Sequence, residues 1–464
     1  MESYDRIPQE AQALLHLLAF FGSDDLAITL IVWQGENAYP EPLQQAAQDT
    51  ATLSPLFSKL HDAGLVEPVE GTQGETWTVH RLTQAVIRAK LQNDKAYDTW
   101  ATAAARLVHA MLPASASNPE NWPMFAAMQP HVEVLLHHGP ETGDGGKALN
   151  VCLDHIGSYL SVRGDAAGSL PYQQKSLALS KAIYGEESEQ FATALNQLAT
   201  TYIYLGNLEE AETLLQRALK IDRTLLPIDH PNLAPDLNNL ARVHLSQEKF
   251  ADAENALKEA LRITEAAFGA DSPVIASHLD NLGVFYSERR DWDKANELHQ
   301  RALDIRRVAL GELHQLTATS YYNCAPMELN RGNNVKALQY CHSAVAINYC
   351  LRMDQVSWQA DLNVLIQLLQ TSGQNQQAEA LQNGDFSSLD PLIEELKCEH
   401  EAGKPQREAR IAAIIADMEA IAAAADFDAT DHIHQVRTGS QDPDWGRQWL
   451  KDAIRERDEA AGAE

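Results

Sequence analysis

The sequence lacks the features of several large classes of protein. Its 464 residues contain no apolar run of the length that spans a membrane, and the opening Met1-Glu2-Ser3-Tyr4-Asp5 is unlike a signal peptide. Basic residues are few, 36 against 65 acidic ones, which gives a formal net charge of −29. That sign argues against phosphate backbones and anionic lipid surfaces as main partners, so we expect neither nucleic-acid nor membrane binding.

Cysteine and the motifs of common catalytic sites are also scarce. The five cysteines are Cys152, Cys324, Cys341, Cys350 and Cys398. They form no CxxC motif, and because their number is odd they cannot all pair in disulfides within the chain. This predicts reduced cysteines in a cytoplasmic protein. The sequence has no GxxxxGK(S/T) loop for phosphate and no GxSxG elbow. Its local histidine motifs, at 137–138, 400–401 and 432–434, have no second pair at metal-ligand spacing. We therefore predict no enzymatic activity, no cofactor and no metal site.

Internal repetition is what the sequence has in abundance. The segments Leu195-Asn-Gln-Leu-Ala199, Leu237-Asn-Asn-Leu-Ala241 and Leu279-Asp-Asn-Leu-Gly283 follow one another at a step of 42 residues. The same step separates the members of three further sets: Ala211, Ala253, Ala295 and Ala337; Ala218, Ala260, Ala302 and Ala344; Ile221, Ile263, Ile305 and Ile347. Self-similarity at a fixed period of this size indicates stacked supersecondary units, so the sequence predicts a repeat solenoid.

Each repeat is predicted to contain two helices. The first, as in residues 193–205, has apolar residues at helical spacing and ends at Gly206-Asn207. The second, as in 208–223, carries the periodic alanines, which allow two helices to approach closely. Proline-bearing loops such as 227–231 and 269–273 then return the chain to the next repeat.

These residues resemble tetratricopeptide repeats of the long type found in kinesin light chains and in many bacterial signalling proteins. The matching elements are Leu-Asn-Asn-Leu-Ala, then Ala-Glu-x-x-Leu-x-x-Ala-Leu-x-Ile, then an Asp-His-Pro loop. The resemblance covers three clear repeats, and it implies an all-α superhelical solenoid whose first helices line a concave groove. A fourth repeat, 321–349, has Pro326 inside its first helix, where we expect a kink or a shifted boundary. It also has Glu328 at the position of Tyr202 and Tyr286, and degenerate repeats are expected at 154–184 and 361–383.

The N-terminal 92 residues predict a small winged-helix-like domain, made of helices and a β-hairpin. Helices are expected at 7–21, 53–63 and 81–91, and strand-like alternation at 65–69 and 76–80 flanks a turn at 70–74. This segment has five basic and twelve acidic residues. Because a DNA-binding domain needs a basic face, we favour a structural role over DNA binding.

Residues 13–21, 60–66 and 79–88 resemble the winged-helix part of STAND signalling NTPases, and 128–136 resembles the helix that bridges to their repeats. The resemblance implies a module that adjoins a nucleotide-binding NB-ARC domain, with His80 in contact with ADP, although Arg81 departs from the His-Asp form of better-known relatives. The alternative for His80 is a residue that caps the helix 81–91 or packs in the domain. Because no phosphate-binding loop is present, we expect either the C-terminal part of a longer NTPase or a stand-alone relative.

The first helices carry amide side chains at one repeated position. These residues, called the amide column below, are Gln197, Asn239, Asn281 and Asn323. The residues before three of them are also polar: Asn196, Asn238 and Asp280. Amides can hold the backbone of an extended peptide whatever its sequence, and asparagine is otherwise a poor choice within a helix. We therefore predict a peptide-binding groove that Arg242 and Ser287 flank; the alternative is that these amides cap or bridge helices. Tyr202, His244 and Tyr286 are assigned to packing between helices.

Residues 385–464 differ from the repeats in kind. Residues 407–425 have an apolar helical face, 428–444 are expected to form a polar loop, and Trp445 and Trp449 lie four apart on a last helix. The members of the apolar face are Ile411, Ile414, Ile415, Met418 and Ile421. This segment is either an end cap for the solenoid or a docking module, through which self-association is one option.

Together the patterns predict four segments: a winged-helix-like domain (1–92), a helical bridge (93–150), a tetratricopeptide solenoid (151–384) and a helical C-terminal segment (385–464). The solenoid holds about five to six repeats, clearest over 193–350. The predicted function is a non-enzymatic sensor or scaffold of a STAND-like signalling system that binds a protein or peptide. The alternatives are an adaptor that scaffolds a separately encoded enzyme and, against the acidic charge, a peptide-responsive transcription regulator.

Overall fold

A computed structural model describes most of the chain. It covers residues 2–23, 26–32, 39–47, 49–70, 76–113, 115–116, 121–351, 355–424, 429, 433, 436 and 443–462. The chain divides into two compact units, Met1–Leu225 and Leu226–Glu464. Among the helices of the described residues, none is both long and apolar enough to cross a membrane.

The N-terminal unit begins with short helices and a small sheet. The helices are α1 (Glu2–Asp5), α2 (Gln9–Leu18), α3 (Leu43–Ala46), α4 (Thr50–Asp62) and α5 (Arg81–Asn93). The antiparallel strands β1 (Leu26–Ala27), β2 (Glu67–Pro68) and β3 (Thr76–Thr78) pair in the order β1–β3–β2. The predicted hairpin is therefore present, while residues 71–74 of its predicted turn lie outside the described residues. The sequence pattern does not predict β1, because two residues are too short for an alternation to be recognised.

The predicted apolar face of α2 lies in the core of this unit. Ala11, Leu14, Leu15 and Leu18 are all fully buried. Phe57 of α4 stacks on Trp77 of β3, with ring centroids 5.3 Å apart. Burial of each large apolar side chain contributes about 1.5–3 kcal/mol, so these contacts are what fix the helices against the sheet.

Longer helices complete the N-terminal unit. They are α6 (Tyr97–Met111), α7 (Trp122–His138), α8 (Gly143–Val162), α9 (Ala166–Tyr184), α10 (Glu189–Leu205) and α11 (Leu208–Leu225). From α8 to α11 each helix contacts the next along the chain. The predicted degenerate repeat at 154–184 falls on α8 and α9. Helix α10 ends as predicted at Gly206, whose φ of 81° is the left-handed conformation that commonly terminates a helix.

The C-terminal unit continues the helical pairs. Its repeat helices are α12 (Leu233–Ser246), α13 (Phe250–Phe268), α14 (Pro273–Glu288), α15 (Trp292–Ala309), α16 (Gln315–Asn330), α17 (Asn334–Cys350), α18 (Gln355–Thr371) and α19 (Asn375–Gln382). Consecutive helices contact one another throughout. The periodic alanines Ala253, Ala295 and Ala337 are fully buried, as expected for residues that let two helices approach closely. The fold is an all-α solenoid with a small N-terminal β-hairpin.

Helix α16 keeps the register of the repeats in spite of Pro326. It begins and ends 42 residues after α14 and runs through the proline without a break. The shifted boundary that the sequence predicted is therefore not found. Proline removes one backbone hydrogen bond, but α16 contacts both α15 and α17, and this packing holds the helix together.

Glu328, at the position that Tyr202 and Tyr286 occupy in two other repeats, is almost fully buried and has its own partners. Lys336 Nζ donates to its carboxylate at 2.8 Å, and Asn333 Nδ2 donates at 2.6 Å. Burial raises the pKa of Glu328, but these hydrogen bonds outweigh it, and the pKa lies below its ordinary value. Lys336 and Asn333 therefore allow this repeat to bury a charge where its neighbour buries Tyr286.

The C-terminal segment forms a long helix, α20 (Asp390–Ala424), and a last helix, α21 (Pro443–Gly462). The predicted face of α20 is largely buried, with Met418 fully covered and in one cluster with Leu450 of α21. The first turns of α20 place Ile393 and Leu396 in one buried cluster with residues of the last repeat helices, and α20 contacts α17. Most of the predicted loop at 428–444, and the side chain of Trp445, lie outside the described residues.

The two C-terminal helices also contact the same loop in three consecutive repeats. His230 Nε2 lies 2.8 Å from Asp452 Oδ1, and Ser272 Oγ donates to Asp444 Oδ2 at 2.6 Å. In the next loop, the amide of Leu313 donates to His400 Nδ1 at 3.3 Å. Positions 230 and 272 are separated by the 42-residue step, and Leu313 lies one residue before the next position in that series. The segment is therefore more than a cap on the last repeat, and the sequence pattern does not predict these contacts.

Candidate functional site

The exposed residues of the first helices in the C-terminal unit lie on one face. Helices α12, α14 and α16 are the first helices of three repeats, and α14 contacts both α12 and α16. On α14 the exposed residues are Ser277, Asn281, Val284 and Glu288, whose spacing of four, three and four keeps them on one side of a helix. Their equivalents on α12 and α16 are Pro235, Asn239, Arg242 and Ser246, and Thr319, Asn323, Pro326 and Asn330. All twelve are exposed or half-buried, and they are called the first-helix face below.

The first-helix face is nearly neutral. Among its twelve residues only Arg242 and Glu288 carry a charge, although the chain has a net charge of −29. Asn281 is exposed, and Asn239 and Asn323 are half-buried. This composition offers hydrogen-bond donors and acceptors without a strong field, which suits the uncharged backbone of a peptide better than a phosphate or a cation.

Two of the residues just before the amide column, the half-buried Asn238 and the buried Asp280, serve a different purpose. Asn238 Nδ2 donates to His278 Nδ1 at 2.7 Å, which ties α12 to α14. Burial lowers the pKa of His278 to about 4, so its ring is neutral and Nδ1 can accept this hydrogen bond. Of the predicted site residues, Asn238 thus makes the kind of helix-bridging contact that the sequence left open as an alternative.

Asp280 is the centre of a buried ionic cluster. His299 Nδ1 lies 2.8 Å from Asp280 Oδ1, and Arg306 Nη1 donates to Asp280 Oδ2 at 2.5 Å. Arg306 also donates to Ser320 Oγ of α16. Burial alone would raise the pKa of Asp280, but hydrogen bonds and charge from His299 and Arg306 outweigh it, and the pKa lies below its ordinary value. The cluster links α14, α15 and α16 and keeps Asp280 away from any ligand on the exposed face.

The remaining predicted site residues differ in their surroundings. Arg242 is half-buried on α12, and Ser287 Oγ donates to the carbonyl of Val284 within its own helix at 2.7 Å. In the N-terminal unit, Asn196 and Gln197 are half-buried on α10. Tyr286 packs between helices, with its hydroxyl donating to Glu254 Oε1 of α13 at 2.7 Å.

His80, the residue that the STAND resemblance links to ADP, is the N-cap of α5. Its Nδ1 accepts a hydrogen bond from the amide of Leu82 at 3.1 Å, and its side chain is exposed. This contact satisfies one of the amides that the first turn of a helix leaves without a partner. The capping role that the sequence offered as an alternative is therefore realised.

The sequence interpretation missed Ser277, Val284 and Thr319 as parts of the exposed face. The signal for them is present, because they lie four residues before or three after a member of the amide column and so share its side of the helix. Within the described residues, no three histidine, cysteine, aspartate or glutamate side chains come together in an arrangement that could hold a metal ion.

A family model described as tetratricopeptide repeat matches residues 149–224, 190–266 and 274–348. The chain contains tetratricopeptide repeats. The matched ranges include α10, α12, α14 and α16, and thus every member of the amide column. No curated protein matches the sequence.

Several solved structures are similar to this chain. BtubC (BKLC) from P. vanneervenii is 23% identical over 53% of this chain and 92% of that one, with a TM-score of 0.38. The putative kinesin light chain repeats of Podosopora anserina are 18% identical over 44% of this chain and 96% of that one, with a TM-score of 0.36. A STAND protein with a tetratricopeptide repeat sensor from Pyrococcus horikoshii is 15% identical over 87% of this chain and 66% of that one, with a TM-score of 0.41.

Proposed function

We propose that this protein is a non-enzymatic module that binds an extended segment of a partner protein on the first-helix face. Tetratricopeptide repeats support a role as a protein-interaction scaffold. The main support for binding on the first-helix face is the contrast between two neighbouring sets of polar residues. Asn238 and Asp280 bond to neighbouring helices, and of the residues that follow them Asn239 is half-buried and Asn281 is exposed.

The chemistry of the face indicates the class of ligand. An amide side chain offers two donors and an acceptor with two lone pairs, so an asparagine on each of three contacting helices can bond successive peptide groups of an extended chain. Because the asparagines would bond the ligand's backbone, any preference for a particular ligand sequence would come from other residues of the face. Arg242 lies at one end of this surface and would favour a ligand with a carboxylate there.

We further propose that binding serves a STAND-like signalling system in the cytoplasm. What supports this is the order of the segments, with a β-hairpin and helices before the repeats, together with five cysteines that are all free. The second candidate is an adaptor that brings a partner to a separately encoded enzyme. Copurification of an NTPase with the protein from its host would favour the first role, and copurification of an unrelated enzyme would favour the second.

Affinity capture from host lysate tests the peptide-binding proposal. The test protein is a triple variant, Asn239→Ala, Asn281→Ala and Asn323→Ala. Its matched control alters exposed residues of second helices at the same step: Asn255→Ala, Glu297→Ala and Gln339→Ala. We expect a partner that wild type and control retain and the test variant loses, with circular dichroism spectra that coincide. Equal capture by all three proteins would refute the proposal.

A further inference from the structure

A groove of about 740 Å³ lies between α5 and α7 of the N-terminal unit. Its volume falls within the range of about 300–1,000 Å³ that is usual for ligand sites. On the α7 side it is lined by Met124, Ala127, Pro130 and Val134, which follow one another at helical spacing. Met124 is 41% exposed, and Ala127 and Pro130 are also exposed. This side of α7 therefore presents a continuous apolar surface to solvent.

The floor of this α5–α7 groove is fixed by side chains that bond the end of α2. Gln84 Nε2 donates to the carbonyls of Leu18 and Phe21, both at 2.9 Å, and Gln84 is 3% exposed. On the opposite side, the amide of Gly22 donates to Nδ1 of the buried His131 at 3.0 Å. These bonds satisfy backbone groups that the end of a helix leaves open. The groove is thus preformed, and its remaining surface is available for apolar contact.

The described residues that line the groove reverse the charge of the rest of the chain. Two arginines, Arg81 and Arg88, and one carboxylate, Glu133, line it, while the chain as a whole has a net charge of −29. His137 and His138 line the same side. Asp24 and Asp25, which follow the lining residue Ser23 in sequence, lie outside the described residues. An acidic ligand with an apolar side matches this combination of surfaces.

We infer that the α5–α7 groove binds an amphipathic helix of a partner protein, with aliphatic residues on its inner face and acidic residues along its edge. A helix is the fitting shape because two neighbouring helices form a furrow into which the side-chain ridge of a third can pack. Aliphatic side chains at helical spacing would cover Met124, Ala127 and Val134. Carboxylates on the flank would pair with the guanidinium of Arg81, which the structure leaves exposed at the rim.

The test uses two labelled synthetic helices of about 18 residues, with leucine at helical spacing and either glutamate or lysine elsewhere. Fluorescence anisotropy with the full chain measures their affinity. We expect the glutamate peptide to bind at least about tenfold more tightly than the lysine peptide, with a difference that shrinks in high salt. Ala127→Glu and Arg81→Glu should each weaken binding of the glutamate peptide by about tenfold or more. Ala178→Glu, an equally exposed alanine on α9, should leave it unchanged.

Three results would overturn the inference. Equal affinity for the two peptides would mean that charge does not select the ligand, and binding that survives Ala127→Glu would place it elsewhere. Sedimentation that shows a wild-type dimer lost in Ala127→Glu would assign the groove to a second copy of the chain. Melting curves of both variants that match wild type exclude misfolding as the cause of any loss.

Discussion

Asp280 and Asn281 are neighbours in the chain but have opposite environments. Asp280 is buried between His299 and Arg306, which lie 19 and 26 residues further along the chain. Asn281 is exposed on the first-helix face. We therefore assign Asp280 a role in stability and propose a role in recognition for Asn281.

Substitution of Asp280 by alanine is predicted to destabilise the protein strongly. Arg306 is 3% exposed and would lose the buried carboxylate that compensates its charge. Removal of one partner from a buried ion pair commonly costs about 3–5 kcal/mol, because the other charge stays buried and unpaired. Urea unfolding followed by circular dichroism measures the change. Asn281→Ala is the matched control and should stay within about 0.5 kcal/mol of wild type. A change below about 1 kcal/mol for Asp280→Ala would contradict this account of the cluster.

The sequence could not separate these two sets of residues. Both positions are polar in the middle of a helix, and both repeat at the same step. What distinguishes them is the presence of His299 and Arg306 on the helix after Asp280, and of His278 on α14, two helices after Asn238. Those are contacts between distant residues, which a local pattern does not encode.

Among the secondary-structure elements, the two C-terminal helices are joined to distant repeat loops by a few polar contacts. Asp444 is buried, accepts a hydrogen bond from Ser272 and pairs with Arg410 of α20. Ser272 and Asp444 are 172 residues apart, and His230 and Asp452 are 222 apart. The sequence predicted the apolar face of α20 from its periodicity, because that face is local. Single pairs so far apart leave no periodic signal, so the contact with the loops was not predictable.

Asp444→Ala is predicted to release α21 from the repeat loops. The substitution removes the common partner of Ser272, Arg410 and Arg447, so the amides of α21 should exchange with deuterium at least about tenfold faster. Hydrogen–deuterium exchange resolved by mass spectrometry measures this. Asp417→Ala is a suitable control, since Asp417 is 47% exposed and pairs with the same Arg447. Unchanged protection of α21 in Asp444→Ala would show that the apolar cluster alone holds it.

The stability of the whole molecule depends on pH through buried titratable groups. Burial lowers the pKa values of His16, His131 and His278 to about 4. Between pH 6.5 and 4 these rings bind protons in the unfolded chain but not in the folded one, so their contribution is complete above pH 6.5 and is lost as the pH falls toward 4. Burial raises the pKa values of Asp154 and Asp361 to about 6, and these act in the opposite sense.

His278→Gln isolates one of these contributions. Glutamine keeps an acceptor for Asn238 but does not titrate, so the free energy of unfolding should fall less between pH 7 and pH 5 than in wild type, by about 1–2 kcal/mol. Urea unfolding at the two pH values gives the difference. Asn281→Gln, at an exposed position of the same helix, should show the pH dependence of wild type. An identical fall in His278→Gln and wild type would mean that His278 is not neutral in the folded protein.

For the whole molecule, the repeat architecture was predictable from the sequence. The family match confirms the tetratricopeptide repeats. The 42-residue step, the repeated alanines and the proline-bearing loops each reflect a local requirement of the two-helix repeat, and because the repeat recurs, the pattern is visible in the sequence. Pro326 shows the limit of that reasoning, because contacts with α15 and α17 preserve a helix that local preference would interrupt. The peptide-binding role of the amide column remains a prediction.

Site-specific photo-crosslinking tests that role most directly. A photoreactive residue placed at position 281 reports on the first-helix face, and one at position 297 reports on an exposed part of the following second helix. After irradiation in host lysate, we expect an adduct at position 281 whose crosslinked peptide comes from one partner protein, and none at position 297. Adducts that form equally at both positions, or only at position 297, would contradict the proposal that the first helices bind the ligand.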